Sequence, residues 1–348
     1  MSETQRILVA MSGGVDSSTA AWLLLEAGHH VEGAFLSRGD ASSEAAAGHA
    51  RRTAQFLEIP FHVVDASADF DTLIRHFCSE YLSGRTPNPC ILCNEQIKFR
   101  RLLERADALA LDLLATGHYV RSERRGSRWC LRRGADASKD QSYYLSGLSQ
   151  KHLSRALFVL GGRTKESVRR LAREAALPAA DRDESQDACF VPDADYARLV
   201  RERMGDRVQP GDIVDTDGNV VGRHEGIIGF TVGQRRGVKV AMGRPVYVVD
   251  VDPDTNRVVV GTEEHLLTPG CTCDNVNWVS VPPPAGPVQC SVQVRYRSKP
   301  VPATITVAGR YRVHLNFDEP QRAVAPGQAA VFYHDDLVLG GGWITRER

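Results

Sequence analysis

Three cysteines in two separate segments have the spacing that thiol chemistry requires. Cys90 and Cys93 lie three residues apart in TPNPCILCN (86–94), and Cys189 follows in DRDESQDACF (181–190). Zinc normally takes four ligands, and the chain has no second C-x-x-C and no H-x(3–5)-H pair to complete such a site. The remaining alternatives are a redox disulfide, an iron–sulfur cluster and a carrier of sulfur. Transfer between sulfur atoms proceeds by thiolate attack on an S–S bond, so it needs a pair of cysteines.

The position of Cys93 predicts how it ionises. Asn94 is a candidate N-cap for a helix over 94–110, so Cys93 would stand just before the helix. The helix dipole would then lower the pKa of its thiol. Eight cysteines in 348 residues are too few for a disulfide scaffold, so we do not expect the other cysteines to form structural bridges. We expect four of them to be buried packing residues, namely Cys78, Cys130, Cys271 and Cys273.

A glycine-rich loop near the start of the chain suits a phosphate group. AMSGGVDSS (10–18) joins a short apolar run to a helical segment, and Gly13 and Gly14 permit the positive φ that forms an anion nest. The loop lacks the Gly-Lys-Ser/Thr ending of a Walker A motif and is not G-x-G-x-x-G. Asp16 would repel phosphate unless a divalent cation bridged them, so we expect an indirect magnesium ligand or an orienting acceptor. A structural turn capped by Asp and Ser is the alternative.

The elements around these residues indicate an α/β protein followed by β modules. Strand patterns alternate with helical ones, which predicts a parallel sheet with helices on both faces. The predicted strands are 6–11, 31–36, 61–65 and 111–118; the predicted helices are 17–28, 43–58, 69–82, 94–110 and 164–177; a hairpin over 119–133 turns at Gly126. From about residue 205, short β-branched runs separated by turns predict two small all-β modules, the last a β-barrel. The predicted domains are 1–204 (α/β), 205–262 (central β linker) and 263–348 (C-terminal β-barrel).

Charge is balanced over the whole chain and concentrated locally. Lys plus Arg and Asp plus Glu number 43 each, so only regional charge can indicate a nucleic acid. Residues 121–133 hold six arginines against one glutamate. The helix 164–177 has an expected basic outer face formed by Lys165, Arg169, Arg170 and Arg173. No apolar run is long enough to span a membrane, and the N-terminus lacks a signal-peptide pattern, so we expect a cytoplasmic protein.

The motifs taken together resemble one family. They are MSGGVDSS, GRTPNPCILCN followed by IKF, ATGHY, KDQSYYL, ESQDACF, GFTVGQRRG, VRYRSKP, PGQAAVFY and LGGGWI, spread over residues 11–344. This set resembles the bacterial tRNA-specific 2-thiouridylases (the MnmA/TrmU family) of the N-type ATP pyrophosphatase superfamily. The resemblance implies adenylation of the C2 oxygen of the wobble uridine by ATP. Sulfur transfer from a cysteine persulfide would then give 2-thiouridine, AMP and pyrophosphate.

The resemblance also implies roles for individual residues. Cys93 would be the nucleophile and Cys189 the persulfide carrier, with a disulfide between them at one stage. The implied ATP-binding residues are Ala10, Met11, Ser12, Gly13, Gly14, Val15, Asp16, Ser17, Ser18, Leu36 and Gly117. The implied tRNA contacts are Asn88, Pro89, Cys90, His118, Lys139, Asp140, Gln141, Arg295, Tyr296 and Gln328. The implied partners are the anticodon region of tRNA and a persulfide sulfur-carrier protein or cysteine desulfurase, and Mg²⁺ would accompany ATP.

The chain departs from the family pattern at two places. Many relatives carry aspartate where this chain has Cys90, and three thiols (Cys90, Cys93 and Cys189) could instead hold a [4Fe-4S] cluster with one open iron. The segment after the second strand, LSRGDASSEAAAG (36–48), lacks the Asn-Trp-acidic loop of relatives, and Leu36 stands where they often have methionine.

Two other functions fit parts of the pattern. An amidating ligase of the same superfamily would use the glycine loop but would not need Cys189, so full activity of Cys189→Ser would favour it. A non-catalytic RNA-binding or iron–sulfur protein would not convert ATP to AMP and pyrophosphate in the presence of tRNA.

Overall fold

The computed structural model describes residues 3–182, 188–191, 193 and 195–346. The strands are β1 Arg6–Ala10, β2 His30–Ser37, β3 Phe61–Asp65, β4 Leu113–Thr116, β5 Val120–Arg125, β6 Arg128–Arg133, β7 Ala156–Phe158, β8 Gly211–Asp215, β9 Val220–His224, β10 Tyr247–Asp252, β11 Arg257–Gly261, β12 Leu267–Asn277, β13 Val288–Gln293, β14 Val301–Gly309, β15 Arg312–Arg322, β16 Ala329–His334 and β17 Leu337–Ile344. The α-helices are α1 Val15–Glu26, α2 Ala41–Phe56, α3 Ser67–Leu82, α4 Pro89–Leu92, α5 Phe99–Ala108, α6 Gln150–Leu153, α7 Lys165–Glu174 and α8 Tyr196–Met204. None of the helices in this described part is both long and apolar enough to cross a membrane.

A five-stranded parallel sheet carries the N-terminal part of the chain, as predicted. Its strand order is β3-β2-β1-β4-β7, so β1 lies at the centre. Ile7, Leu8 and Val9 of β1 are fully buried because helices cover both faces of the sheet. The carboxyl ends of β1, β2 and β4 therefore meet at one edge. The glycine loop begins at this edge, and so does the segment that follows Ser37. Gly117 lies at the same edge, directly after β4.

The segment that carries the cysteines differs from its predicted form. The helix begins at Pro89, not at Asn94, and Asn94 caps nothing because Asn88 occupies the N-cap position. Residues Cys93–Lys98 form a π-helical turn before α5. Such single turns occur mostly inside α-helices and frequently at functional sites. Cys93 thus lies inside a helical segment and not ahead of one.

The C-terminal strands form the expected barrel. Six strands pair in the order β12-β15-β14-β13-β16-β17, and β12 also pairs with β17, which closes the ring. Cys271 and Cys273 are buried in its core, and Cys78 and Cys130 are buried elsewhere. All four expectations of packing cysteines are confirmed.

The predicted hairpin β5–β6 is present, but it extends the sheet of the C-terminal barrel. Arg132 of β6 pairs with Leu337 of β17. Most of its arginines are held by protein groups: Arg121 and Arg132 bind Asp336, Arg133 binds Asp140, and Arg128 donates to the carbonyls of Trp278 and Val279. These four arginines therefore have partners within the protein, and Arg121, Arg128 and Arg132 join the hairpin to the barrel region.

The central module is small and has a core of its own. Its four strands pair in the order β10-β11-β8-β9, with β8 and β11 parallel. The core is built from valines and isoleucines such as Ile213, Val248 and Val258. The domain boundaries at 204 and 262 stay a prediction.

Candidate active site

The glycine loop is held by hydrogen bonds among its own residues. The amide of Ser12 donates to Ser17 Oγ (3.1 Å), and the hydroxyls of Ser17 and Ser18 donate to the carbonyl of Gly14 (3.2 and 2.9 Å). Gly13 has φ +80°, and a Cβ there would lie 2.7 Å from the carbonyl oxygen of Ala46. Glycine is required at this position for both reasons. Gly14 is different from our expectation, because its φ is −91°.

The loop leads directly into the twelve-residue helix α1, whose N-terminus has no side-chain cap. The first amides of a helix lack intrahelical partners and carry the positive end of its dipole. Val15, Ser17 and Ser18 of the first turn are nearly or fully buried. The geometry suits a phosphate group, and phosphate binding at this loop stays a prediction.

An ion pair that the sequence did not reveal sits at this helix start. Lys165 Nζ lies 2.7 Å from both carboxylate oxygens of Asp16, and the Tyr119 hydroxyl donates to the same carboxylate at 2.7 Å. Lys165 is only 8% exposed, so its assignment to the basic outer face of the helix 164–177 is wrong. The only available sequence signal was its place as the first residue after the cap Thr164, where a side chain can turn back toward the preceding sheet.

Gly117 brings the end of β4 against the same helix start. A Cβ on Gly117 would lie 3.0 Å from the carbonyl carbon of Asp16 and from the amide nitrogen of Ser17. Leu36, at the end of β2, is half-buried and packs on two apolar clusters that meet near this edge. The structure thus brings the SGGVDS loop, Gly117 and Leu36 to one end of the sheet.

The two cysteines that the sequence singled out converge near the same edge. Cys93 packs in an apolar cluster with Leu36, Phe70 and Phe190, the neighbour of Cys189. Cys93 is half-buried, whereas Cys189 is exposed. Residues 183–187, which include most of the ESQDACF motif, lie outside the described residues. The described cysteines are all free thiols.

Burial controls the ionisation of the helix thiols. Burial raises the pKa of Cys93 to about 12; negative charge on Cys189 or Cys90 adds to this, and Lys98 and Arg38 oppose it. Burial likewise raises the pKa of Cys90 to about 11, again with Cys189 adding and Lys98 opposing. The expectation that a helix dipole lowers the pKa of Cys93 is therefore wrong, because the residue lies inside a helical segment and burial of its sulfur has the larger effect.

Arg38 supplies positive charge next to the exposed cysteine. Burial lowers its pKa, but its hydrogen bonds to Asp40 and its contact with the Cys189 sulfur outweigh this and raise it overall. Arg38 also lies over the ring of Phe70, 6.0 Å from the ring centroid, and Phe70 belongs to the cluster that contains Cys93. This arginine belongs to the segment that lacks the family's usual loop, so the sequence carried no signal for it.

The cysteine loop is tied to the C-terminal barrel. The amide of Thr86 donates to the carbonyl of Pro326 (2.8 Å), and Gln328 Nε2 donates to the carbonyls of Thr86 and Pro87 (2.8 and 3.4 Å). Asn88 lies beside the Tyr143 hydroxyl. Gln328, a predicted tRNA contact, thus already has a role within the protein.

An aromatic pair lies beside Cys90. The rings of Tyr144 and Tyr296 are 4.2 Å apart between centroids, and burial raises the pKa of Tyr144, with Cys90 as the next cause. Asn94 is 4% exposed and donates to the carbonyl of Tyr144 (3.2 Å), while its Oδ1 has no partner among the described residues. Arg295 is exposed next to Tyr296. Cys90 and Tyr296, two of the predicted tRNA contacts, therefore lie in one place.

The other predicted tRNA contacts lie farther along the fold and have partners. His118 Nδ1 lies 2.9 Å from Thr116 Oγ1 and its Nε2 3.4 Å from Lys98 Nζ; burial, followed by the Lys98 charge, lowers the pKa of His118 well below its usual value. Asp140 is buried and accepts hydrogen bonds from Arg133, Gly134 and Ser142. Two more predicted contacts adjoin it: the Gln141 side chain accepts from the amide of Tyr119, and Lys139 is half-buried.

The three thiols are not placed to bind a metal ion together. Within the described ranges, no set of three or more His, Cys, Asp or Glu side chains is placed to hold a metal ion. The residues as arranged do not fit an iron–sulfur cluster.

Three family profiles match nearly the whole chain. A tRNA methyl transferase HUP domain matches residues 5–193, a tRNA methyl transferase PRC-barrel domain matches 199–262, and an aminomethyltransferase β-barrel domain matches 268–344. Among solved structures, an NMN synthetase from Francisella tularensis aligns with a TM-score of 0.35 at 14% identity, over 58% of this chain and 78% of that chain. A likeness at that level does not bear on function.

Curated relatives match end to end. A tRNA-specific 2-thiouridylase from Geobacter metallireducens is 47% identical, with 98% of this chain and 96% of the relative covered. Proteins of the same description from Chloroflexus aurantiacus and Clostridium perfringens are 48% and 42% identical, each with 98% of both chains covered. On the strength of these full-length matches, the chain belongs to the tRNA-specific 2-thiouridylase family.

Proposed function

We propose that this protein catalyses the ATP-dependent 2-thiolation of the wobble uridine of tRNA. The family carries the general assignment, since its curated members are described as tRNA-specific 2-thiouridylases. The observation that supports the specific chemistry is the convergence of Cys93 with the segment of Cys189 at the sheet edge where the SGGVDS loop begins. A thiol pair and a phosphate-binding loop side by side suit activation by ATP followed by sulfur transfer.

The first step is adenylation of the C2 oxygen. A carbonyl oxygen is a poor leaving group, and transfer of AMP to it makes a good one while pyrophosphate departs. The amides at the start of α1 face the position suited to the departing phosphates, and Lys165 adds a buried cation at the same point. We assign Ala10, Met11, Ser12, Gly13, Gly14, Val15, Asp16, Ser17, Ser18, Leu36 and Gly117 to ATP binding.

Magnesium would enter bound to ATP. Asp16 is the only acid of the loop 10–18, and its carboxylate already accepts from Lys165 and Tyr119. A cation would therefore be reached from Asp16 through water, and it would neutralise phosphate charge. No step is routed through an iron–sulfur cluster, since the thiols as arranged do not fit one.

The second step is sulfur transfer. Cys189 is exposed, so a sulfur-carrier protein or cysteine desulfurase can load its sulfur as a persulfide. The terminal sulfur attacks the activated C2, and AMP leaves with the C2–O electron pair. The Cys93 thiolate then attacks the Cys189 sulfur, which breaks the S–S bond and leaves 2-thiouridine together with a Cys93–Cys189 disulfide. Release of sulfide by the same attack of Cys93, before C2 is reached, would leave the same disulfide.

The tRNA would approach from the side of the barrel. A uridine must leave the anticodon stack before its C2 can be reached, and aromatic and amide groups suit an extruded base. Tyr296, Asn88, Pro89 and Cys90 adjoin the thiols and are assigned to the target base; Arg295 is an exposed cation beside them. Assignments to tRNA at greater distance are His118, Lys139, Asp140, Gln141 and Gln328. Free thiols and a tRNA substrate both fit a reducing, cytoplasmic setting.

Nucleoside mass spectrometry tests the proposal. Transfer RNA from cells lacking the protein should lose 2-thiouridine, and a plasmid copy should restore it, whereas a Cys189→Ser copy should not. A Cys290→Ser copy is the matched control, because Cys290 lies in β13 of the barrel, away from the thiol cluster. Unchanged 2-thiouridine in the deleted cells would refute the assignment.

A further inference from the structure

The thiol site contains one more sulfur than the proposed transfer uses. Cys93 and Cys189 account for the persulfide and its resolution, yet Cys90 shares their environment. Negative charge on Cys90 or Cys189 raises the pKa of Cys93, so the three thiols interact electrostatically with one another. The proposed mechanism gives the nucleophile Cys90 no role, so its presence at the site needs an explanation.

The backbone places Cys90 and Cys93 at a separation that a disulfide can bridge. The helix starts at Pro89, and Leu92 and Cys93 have helical angles (φ −61°, ψ −41° and φ −60°, ψ −46°). Residues three apart on a helix share a face, and helix geometry puts their Cα atoms about 5 Å apart. That separation falls inside the range of about 4.4–6.8 Å found for disulfides.

The exposures of the cysteines show why a disulfide between Cys90 and Cys93 would be useful, since it would free Cys189 after a turnover. Cys189 is exposed and receives each new sulfur, whereas Cys93 is half-buried. After a turnover the two are joined, and Cys189 cannot be loaded again until that bond is broken. An external reductant would have to reach a bond between an exposed and a packed sulfur beside bound tRNA.

We propose that Cys90 is a resolving thiol that moves the disulfide from Cys93–Cys189 to Cys90–Cys93. This inference rests on the proposed function, because it begins from the disulfide that sulfur transfer leaves. The Cys90 thiolate attacks the Cys93 sulfur, one S–S bond forms, one breaks, and Cys189 departs as a thiolate. The exchange involves no net oxidation or reduction. A cellular dithiol or glutathione-type thiol later reduces the Cys90–Cys93 bond with two electrons.

The surroundings favour this direction of exchange. Arg38 contacts the Cys189 sulfur, so a positive charge meets the leaving thiolate. Lys98 lowers the pKa values of both helix thiols, so a positive charge also favours the thiolate form of the attacking Cys90. The departing group is the exposed cysteine.

Tryptic mapping after a single turnover tests the inference. The full-length protein is loaded with inorganic polysulfide, desalted, and mixed with unmodified tRNA transcript and MgATP without a thiol reductant. The sample is then quenched in acid, alkylated and digested. Cleavage at Arg85 and Lys98 leaves Cys90 and Cys93 on one peptide (86–98), while Cys189 falls on another (183–198).

The wild-type map decides between the two disulfides. We expect peptide 86–98 with an internal disulfide, two hydrogens lighter than its reduced form, and peptide 183–198 alkylated. In Cys90→Asp, which carries the residue found in many relatives, each 2-thiouridine formed should leave peptides 86–98 and 183–198 crosslinked. Cys290→Ser, which removes a cysteine away from the site, should give the wild-type map.

The outcomes separate failure of the inference from failure of the function. Formation of 2-thiouridine with the two peptides crosslinked in the wild type would overturn the resolving role and leave the proposed function intact. Absence of 2-thiouridine and AMP in the wild type would overturn the proposed function and the inference with it.

Discussion

The glycine loop and the thiol site lie at the same end of the sheet but are built in opposite ways. The loop is shaped by bonds between neighbours such as Ser12 and Ser17, and Lys165, Tyr119 and Arg182 reach it from far along the chain. The thiol site combines the helix of Cys93 and the exposed segment of Cys189, with Arg38 from a third segment. Local contacts therefore shape the loop itself, whereas the thiol site exists only in the folded chain.

The two regions also differ in the ionisation state of their reactive side chains and in how their charges are balanced. At the loop, Asp16 and Lys165 neutralise each other in a direct ion pair. At the thiol site, burial keeps Cys93 and Cys90 protonated, and Lys98 and Arg38 offset this only in part. The loop is ready to bind an anion, while the helix thiols must be deprotonated before they react.

Loss of a thiol should separate the two regions most strongly. Cys189→Ser should lower thiolation by more than about a thousandfold, the scale of removing an essential nucleophile. Formation of AMP dependent on tRNA should persist, because the glycine loop is untouched. The measurement is 2-thiouridine and AMP in parallel, with Cys290→Ser as control. Thiolation at the wild-type rate would favour an amidating ligase.

Loss of Lys165 should impair the step that uses ATP and leave the reactivity of the thiols unchanged. Lys165→Met removes the buried cation paired with Asp16, so AMP formation should fall about 100- to 1000-fold, as when one preorganised charge-stabilising donor is lost. The rate at which Cys93 is alkylated should stay unchanged. Lys151→Met, at an exposed lysine, is the matched control. An equal loss in both variants would show that Lys165 plays no special part.

A methyl group at Gly117 should disturb the loop through packing. In Gly117→Ala the new Cβ would lie 3.0 Å from backbone atoms of Asp16 and Ser17. Overpacking of this kind costs about 1–3 kcal/mol of unfolding free energy. Denaturant unfolding and ATP binding should both weaken, whereas Gly162→Ala, with no atom within 4 Å, should do neither. Unchanged ATP binding in Gly117→Ala would contradict the close approach of β4 to α1.

The smallest effect concerns the ionisation of Cys93. Burial raises its pKa to about 12, so its alkylation rate should rise with pH from 7 toward that value, about tenfold per unit, since only the thiolate reacts. Lys98 lowers the same pKa, so Lys98→Gln should raise it and slow alkylation several-fold at a given pH. Mass spectrometry of the tryptic peptide that carries Cys93, which is 86–98 in the wild type and 86–100 in Lys98→Gln, measures the rate, with Lys151→Gln as control. Alkylation that levels off near pH 8 would contradict the buried thiol.

The parallel sheet, the hairpin and the barrel were predictable because their patterns are local. Alternating apolar runs and turn residues defined strands such as β1 and β3, whose observed bounds lie close to the expected ones. The start of the cysteine helix was not predictable in the same way. Pro89 suits the first position of a helix and Asn94 suits an N-cap, so either residue could mark the start. The sequence could not show that Arg121 and Arg132 bind Asp336, because this partner lies far along the chain.

The sequence by itself determined the residue types of the site: a glycine that tolerates φ +80°, an acid at the helix start and cysteines in two segments. Those follow from backbone sterics and from the chemistry of thiols, which any arrangement of the chain retains. Only the tertiary structure decided that Lys165 turns inward to Asp16 and that Cys93 is buried rather than activated by a helix end. Solvent exposure and distant charges set both results, and neither exists until the chain has packed.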